Sequence, residues 1–244
     1  MRPGALVTAL LILAPAASAG LRYDFVTTFQ SARITEEVRG QVWVDGDAYR
    51  AEMMRGGRKS VVLSSDGDRT ATYLDPEKQT YSNRSRPGST VVSSVLFRWP
   101  VPGASVRGKP SITYTRNGTV TMAGQEANLH VVDVTFKVDS SVRGMAAPGR
   151  IHVTARIWTA DAFPALPMNS QLRTGYLLVD QEIAKQMANI RGMVVRHELE
   201  VTRTLDGGPP QTERTTTEIT KLEQVEIAAD VFQVPETFEY AGPR

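Results

Sequence analysis

Apolar and polar residues alternate along most of this chain. In 38–44 (VRGQVWV), Val42 and Val44 fall on one side. In 151–159 (IHVTARIWT), Ile151, Val153, Ala155 and Ile157 oppose His152, Thr154, Arg156 and Trp158. A period of two marks a strand with one buried face. The same reading predicts strands at 21–29, 49–54, 60–64, 70–74, 80–82, 112–116, 119–123, 129–138, 193–205 and 212–224. Between them stand turn-forming groups: Asp45-Gly46-Asp47, Arg55-Gly56-Gly57, Asp66-Gly67-Asp68, Asp75-Pro76-Glu77-Lys78, Asn117-Gly118 and the 206–210 run DGGPP. Glycine accepts the positive φ of a tight turn, so Asn117-Gly118 is predicted to close a hairpin. Strands joined by so few residues must be antiparallel neighbours, because a parallel pair needs a long crossover.

One segment has a helical period. In 180–190 (DQEIAKQMANI), Ile183, Met187 and Ile190 share a face, and Gly192 is a stop signal. The run 89–97 (STVVSSVLF) reads as a short helix or a strand, ended by the prolines at 100 and 102, and 161–172 reads as a long loop. The tail 225–240 reads as a short turn placing Phe232, then an extended stretch through Pro235. About ten strands against one or two helices predict a mainly β (α+β) domain with a helix packed on one face of an antiparallel sheet. No linker divides 20–244, which is read as a single domain, with the Pro/Gly-rich 100–110 stretch as a loop inside it.

The first residues break the alternation. Arg2 precedes an apolar run from Ala5 to Ala14, and Ala17-Ser18-Ala19 forms a small-residue cleavage signal before Gly20. This is the pattern of a secretory signal peptide, 1–19, cleaved after Ala19. The run is too short for a bilayer core, which needs roughly 20 apolar residues, so the chain is read as not membrane-spanning. There is no cysteine, hence no lipid-anchor thiol and no disulfide framework. An exported chain that builds its core without disulfides fits a bacterial periplasm. Without Arg2 the basic residues fall from 28 to 27 against 26 acidic, a net charge of +1. That excludes a general nucleic-acid binder, which needs a basic surface.

Motifs for catalysis are missing. His130, His152 and His197 each sit in a strand with no second histidine at ligand spacing, and all three are read as partly exposed strand residues. No nucleophile elbow, acylation motif or phosphate loop occurs. Asp45-Gly46-Asp47 and Asp66-Gly67-Asp68 lack the remaining ligands of a calcium loop. The carboxylate pairs Glu36/Glu37 and Glu198/Glu200 read as solvated residues. The sequence therefore predicts no enzyme, no metal and no cofactor. Its tryptophans, phenylalanines and methionines are read first as ordinary core, and second as the lining of a groove between a curved sheet and its helix.

Several segments resemble a known group. These are Tyr49-Arg50-Ala51-Glu52, Asp66-Gly67, the 73–81 run YLDPEKQTY, Thr217-Glu218-Ile219 with Leu222, and Val231-Phe232-Gln233-Val234-Pro235. In this order they resemble periplasmic proteins with a domain of unknown function of the DUF4412 type. More distantly they resemble the LolA/LolB/RseB-like superfamily of lipoprotein carriers and envelope sensors. The resemblance implies a curved antiparallel sheet forming an unclosed half-barrel, with one or two helices on its concave face around an apolar cavity. It also implies a hydrophobic ligand, a lipid or lipoprotein acyl chain, for which Trp43, Trp99, Trp158, Phe163 and Met187 are the candidate lining. The alternative reading is an interaction or sensor module that uses the same scaffold to bind an envelope protein. The remote alternative is a hydrolase.

Overall fold

The computed structural model describes residues 20–66, 70–85, 105–142, 145–163, 176–188, 190–205 and 208–242. The expected signal peptide and the 89–97 segment lie outside these residues. The described strands are β1 (Gly20–Gln30), β2 (Thr35–Asp45), β3 (Ala48–Arg55), β4 (Arg58–Ser64), β5 (Thr70–Asp75), β6 (Thr80–Ser85), β7 (Ser105–Met122), β8 (Gln125–Val142), β9 (Met145–Ala160), β10 (Met193–Leu205), β11 (Gln211–Val225) and β12 (Glu239–Tyr240). All belong to one open sheet in the order β12-β6-β5-β4-β3-β2-β1-β11-β10-β9-β8-β7. The sheet is a curved, unclosed half-barrel with one described helix, α1 (Leu177–Met187), on its concave face. Nearly every pairing is antiparallel, as the short turns require. The exception is β12, which lies parallel to β6 and was expected only as an extended tail.

The turns explain the register. Gly46 (φ 56°) begins the β2–β3 turn, and Gly56 and Gly57 (φ 55° and 79°) form the β3–β4 turn. The expected hairpin at Asn117-Gly118 is not there. β7 runs through it, and Gly118 is an extra residue between the pairs Asn117–Leu129 and Thr119–Asn128. A bulge absorbs one residue and lets the strand continue. The chain reverses instead at Ala123 and Gly124, both with positive φ (48° and 75°).

Following the register across the sheet identifies its two faces. The row Val38–Thr27–Thr217–His197–Ile157–His130–Arg116 joins β2, β1, β11, β10, β9, β8 and β7 on one face. Apolar clusters flank this row. On β1–β5 they include Tyr23, Phe25, Val42, Ala51, Met53 and Val62. On β8–β10 they include Val132, Val134, Val153, Leu199 and Val201, against Tyr176, Val179 and Ile183. The outer face has its own cluster, where Val61, Leu63 and Leu74 meet Tyr81, Val234 and Phe238 of the C-terminal segment.

The helix begins and ends three residues earlier than the expected 180–190 span. Its inward stripe is Val179, Ile183 and Met187, of which Val179 and Ile183 are fully buried, so docking starts one turn before the periodicity read from Ile183. Phe136 and Tyr176 make an edge-on ring contact at 5.5 Å beside it. Ile183→Val should cost about 1 kcal/mol, the usual effect of one buried methylene. Urea unfolding checks this: the midpoint should fall while the slope stays unchanged.

Candidate functional site

A cavity of about 510 Å³ opens at the end of the sheet where β7, β8, β9 and β10 converge. Four separate segments line it. Arg116 comes from β7, just before the Gly118 bulge, and Asn128 and His130 come from β8. Asp161, Ala162 and Phe163 follow β9, and Arg191 with Gly192 precedes β10.

The polar walls are tied together. The Arg116 guanidinium donates to Asn128 Oδ1 at 2.8 Å, and Asn128 Nδ2 donates to Asp161 Oδ2 at 2.9 Å. His130 is buried between two hydroxyls, with Nδ1 2.8 Å from Tyr114 Oη and Nε2 3.0 Å from Thr159 Oγ1. The Tyr114 and His130 rings stack with centroids 6.0 Å apart. Burial first, and Arg116 second, hold the His130 pKa below its ordinary value, with Asp161 opposing them. Gly192 (φ 82°) lets the two turns close on each other. A Cβ there would lie 2.6 Å from Ala160 O and 2.9 Å from Asp161 Oδ1. Phe163 packs against both the β1–β5 cluster and a cluster around Trp158 and Ala160.

Both ring nitrogens of His130 are hydrogen-bonded within the protein, to the Tyr114 and Thr159 hydroxyls. His130 is thus a buried, satisfied residue, which corrects its reading as partly exposed; the hydroxyls on β7 and β9 make that burial tolerable. His152 is half exposed and 3.7 Å from Asp133. His197 is on the inner face and partly exposed as a residue, as expected, while its Nε2 is buried with no hydrogen-bond partner among the described residues. The carboxylates weighed for acid–base work are ion-paired: Glu36 with Arg55, Glu37 with Arg39, Glu198 with Arg196, and Glu200 with Arg214. Among the described residues no three His, Asp or Glu side chains gather as metal ligands.

Of the four candidate lining residues that are described, Phe163 packs against the cluster that holds Trp158, and Trp43 and Met187 lie elsewhere. Phe163 lines the cavity, and Met187 packs at the end of the helical stripe. Trp158 is on the outer face of β9, opposite Ile157, with Arg196 over its ring at 5.2 Å. Trp43 is half-buried on the face of β2 opposite Val42 and Val44. Trp99 lies outside the described residues. Arg116, Asn128, Asp161 and Arg191 were not singled out in the sequence, because no local spacing links them. The nearest signals were the loop start at Asp161 and the glycine stop at Gly192.

No protein-family model matches this chain, and no curated protein matches it. Solved structures with a similar arrangement include an uncharacterised conserved protein from Thermus thermophilus. That pair is 9% identical, with 92% of this chain and 91% of the other covered and a TM-score of 0.41. Another is a putative outer membrane lipoprotein-sorting protein domain from Vibrio parahaemolyticus, 10% identical, covering 88% and 90%, with a TM-score of 0.33. The Pseudomonas aeruginosa MucA/MucB complex is 9% identical, covering 86% and 95%, with a TM-score of 0.26. These are distant likenesses of architecture, and the functional reading rests on this chain's own residues. Among the described residues no helix is long and apolar enough to cross a membrane.

Proposed function

We propose that this protein is an exported, periplasmic, non-enzymatic binding protein that holds a hydrophobic molecule, a lipid or lipoprotein acyl chain, in its half-barrel. One observation carries the reading. The cavity at the end of the sheet is lined by Phe163 and Ala162 together with polar groups, Arg116, Asn128, Asp161 and His130, that are held by hydrogen bonds within the protein. Concave sites of this size bury most of a small ligand and orient it with few polar contacts. Export is carried by the 1–19 signal pattern, and the lack of cysteine fits a periplasm as the compartment. Kinship with the DUF4412 type and the LolA-like superfamily rests on the motifs quoted above.

The test is native mass spectrometry of protein purified from a periplasm, with titration of a fluorescent fatty acid. Co-purifying lipid and saturable binding are expected. A bare mass combined with no fatty-acid binding would overturn the proposal.

A second reading, an envelope interaction module, is favoured by β7. It is the terminal strand of the sheet, and Ser111 to Asn117 pair with β8 without interruption between two register shifts. It carries Arg107, Lys109 and Arg116 and no acidic residue. An edge of this kind can accept an added strand, here an acidic one. Mild crosslinking and pulldown separates the readings: a module retains one protein, a carrier retains lipid.

A further inference from the structure

The cavity's charge does not match that of a purely apolar ligand. Two arginines, Arg116 and Arg191, line it against one acidic residue, Asp161. Asp161 does not neutralise either arginine directly; its Oδ2 is occupied by the Asn128 amide. Among the described residues neither Arg116 nor Arg191 makes an ion pair. By contrast, Arg196 and Arg203 of β10 and Arg214 of β11 are each tied to glutamate.

Arg116 is also pre-positioned. Asn128, itself buried and held by Asp161, anchors one guanidinium nitrogen and leaves the other N–H groups of the fork available. The backbone next to Arg191 is fixed, because Gly192 has a positive φ and a Cβ there would lie 2.6 Å from Ala160 O, while the Arg191 side chain is exposed at the cavity. The planar fork of Arg116, held by Asn128, matches a carboxylate or phosphate, and Arg191 brings a second guanidinium to the same cavity. The neutral His130, fixed by Tyr114 and Thr159, adds a polar wall without adding charge. Phe163 and Ala162 supply the apolar side.

We propose that this cavity is an oxyanion site, in which Arg116 and Arg191 together grip one carboxylate or phosphate group of an amphiphile whose hydrocarbon lies along Phe163. The inference rests on the proposed binding function and refines it by naming the charged end of the ligand and the residues that receive it. A free anion and an amphiphile headgroup share this chemistry, so the experiment must separate them.

Calorimetric titration of the full chain uses four probes: palmitate, palmitoyl lysophosphatidate, the uncharged monopalmitoylglycerol, and inorganic phosphate. The two anionic amphiphiles should bind at least about tenfold more tightly than monopalmitoylglycerol, the scale of one charge-assisted hydrogen bond. In the double variant R116Q/R191Q that preference should shrink to about twofold or less, with binding of the neutral probe unchanged. Circular dichroism checks the fold. R191Q alone serves as the second variant, since Arg191 holds no ion pair among the described residues and its removal should still reduce the preference. Inorganic phosphate binding as tightly as lysophosphatidate would overturn the amphiphile assignment in favour of a free anion. Equal binding of charged and neutral amphiphiles by wild type and variants would overturn the oxyanion site while leaving the hydrophobic-ligand function standing. Failure of all four probes to bind would overturn both.

Discussion

Gly40→Ala is expected to destabilise the protein by about 3 kcal/mol, near the upper end of the cost of overpacking a core. Gly40 lies in the middle of β2, paired with Phe25 of β1 and Met53 of β3. An added Cβ would lie 2.5 Å from Glu52 O and 2.5 Å from two atoms of the Phe25 ring. The ring cannot swing away freely, because Phe25 is buried in the β1–β5 cluster. The carbonyl cannot move without disturbing the β2–β3 ladder. A glycine inside a strand often marks such a close approach, and here the absent side chain is the space the ring occupies. In a chain of this size the melting temperature should fall by about 6–12 °C. Gly46→Asn is the comparison: its φ is 56°, nothing lies within 4 Å of the added Cβ, and asparagine tolerates that conformation. It should change stability little. If Gly40→Ala melted within a degree of Gly46→Asn, the packing account of β2 would be wrong.

The second large effect is acid destabilisation through His197. This imidazole lies on the inner face with its Nε2 buried and unpartnered among the described residues, and its cross-strand neighbours, Thr217 and Ile157, carry no charge. Burial alone pushes its pKa from 6.5 down to about 4. The unfolded chain therefore takes up this proton more readily than the native one. The stability held above about pH 6.5 is lost as the pH falls toward 4, and below that the penalty is constant. The shift corresponds to about 3 kcal/mol. Ordinary carboxylates titrate only at the lower end of this window, whereas Glu52, where burial raises the pKa but hydrogen bonds to Lys59 and Arg50 together outweigh it and lower it, keeps its pairing until the pH falls below the usual carboxylate range. The informative quantity is thus the difference between wild type and His197→Leu. Urea unfolding at pH 7.5, 6, 5 and 4 should show the variant gaining steadily on wild type as the pH falls. Parallel pH profiles for the two proteins would mean that His197 is not a buried neutral base.

Both effects arise at positions where strand alternation was correctly read but the side chain's surroundings were not. In VRGQVWV the inward placement of Val42 and Val44 follows from the period of two, and their burial agrees with it. The same alternation puts Gly40 inward, yet only the Phe25–Gly40 register explains why a larger residue is excluded there. His197 likewise alternates with Leu199 and Val201, so its inward direction was legible. Its isolation was not, because that depends on β9 and β11 placing Ile157 and Thr217 beside it.

Asn117-Gly118 shows the limit of local turn chemistry. The dipeptide has the composition of a hairpin turn, but a bulge uses the same freedom of φ, and longer pairing with β8 favours continuing the strand. Pairing of β12 with β6 was hidden for a different reason: two residues carry no periodicity, and the contact joins parts of the chain about 160 residues apart.

The sequence by itself determined the β-dominated class, the antiparallel connections, the helix on one face and the shortage of catalytic motifs. All of these follow from periodicity and turn chemistry acting over a few consecutive residues. Only the tertiary structure decided where the cavity lies and which residues meet there. It also brought together Arg116, Asn128, Asp161 and Arg191. Each of those four belongs to a different strand or turn, and their spacing along the chain carries no information about their distance in space. The sheet's register supplies that distance, and register is fixed by the burial of one whole face at once.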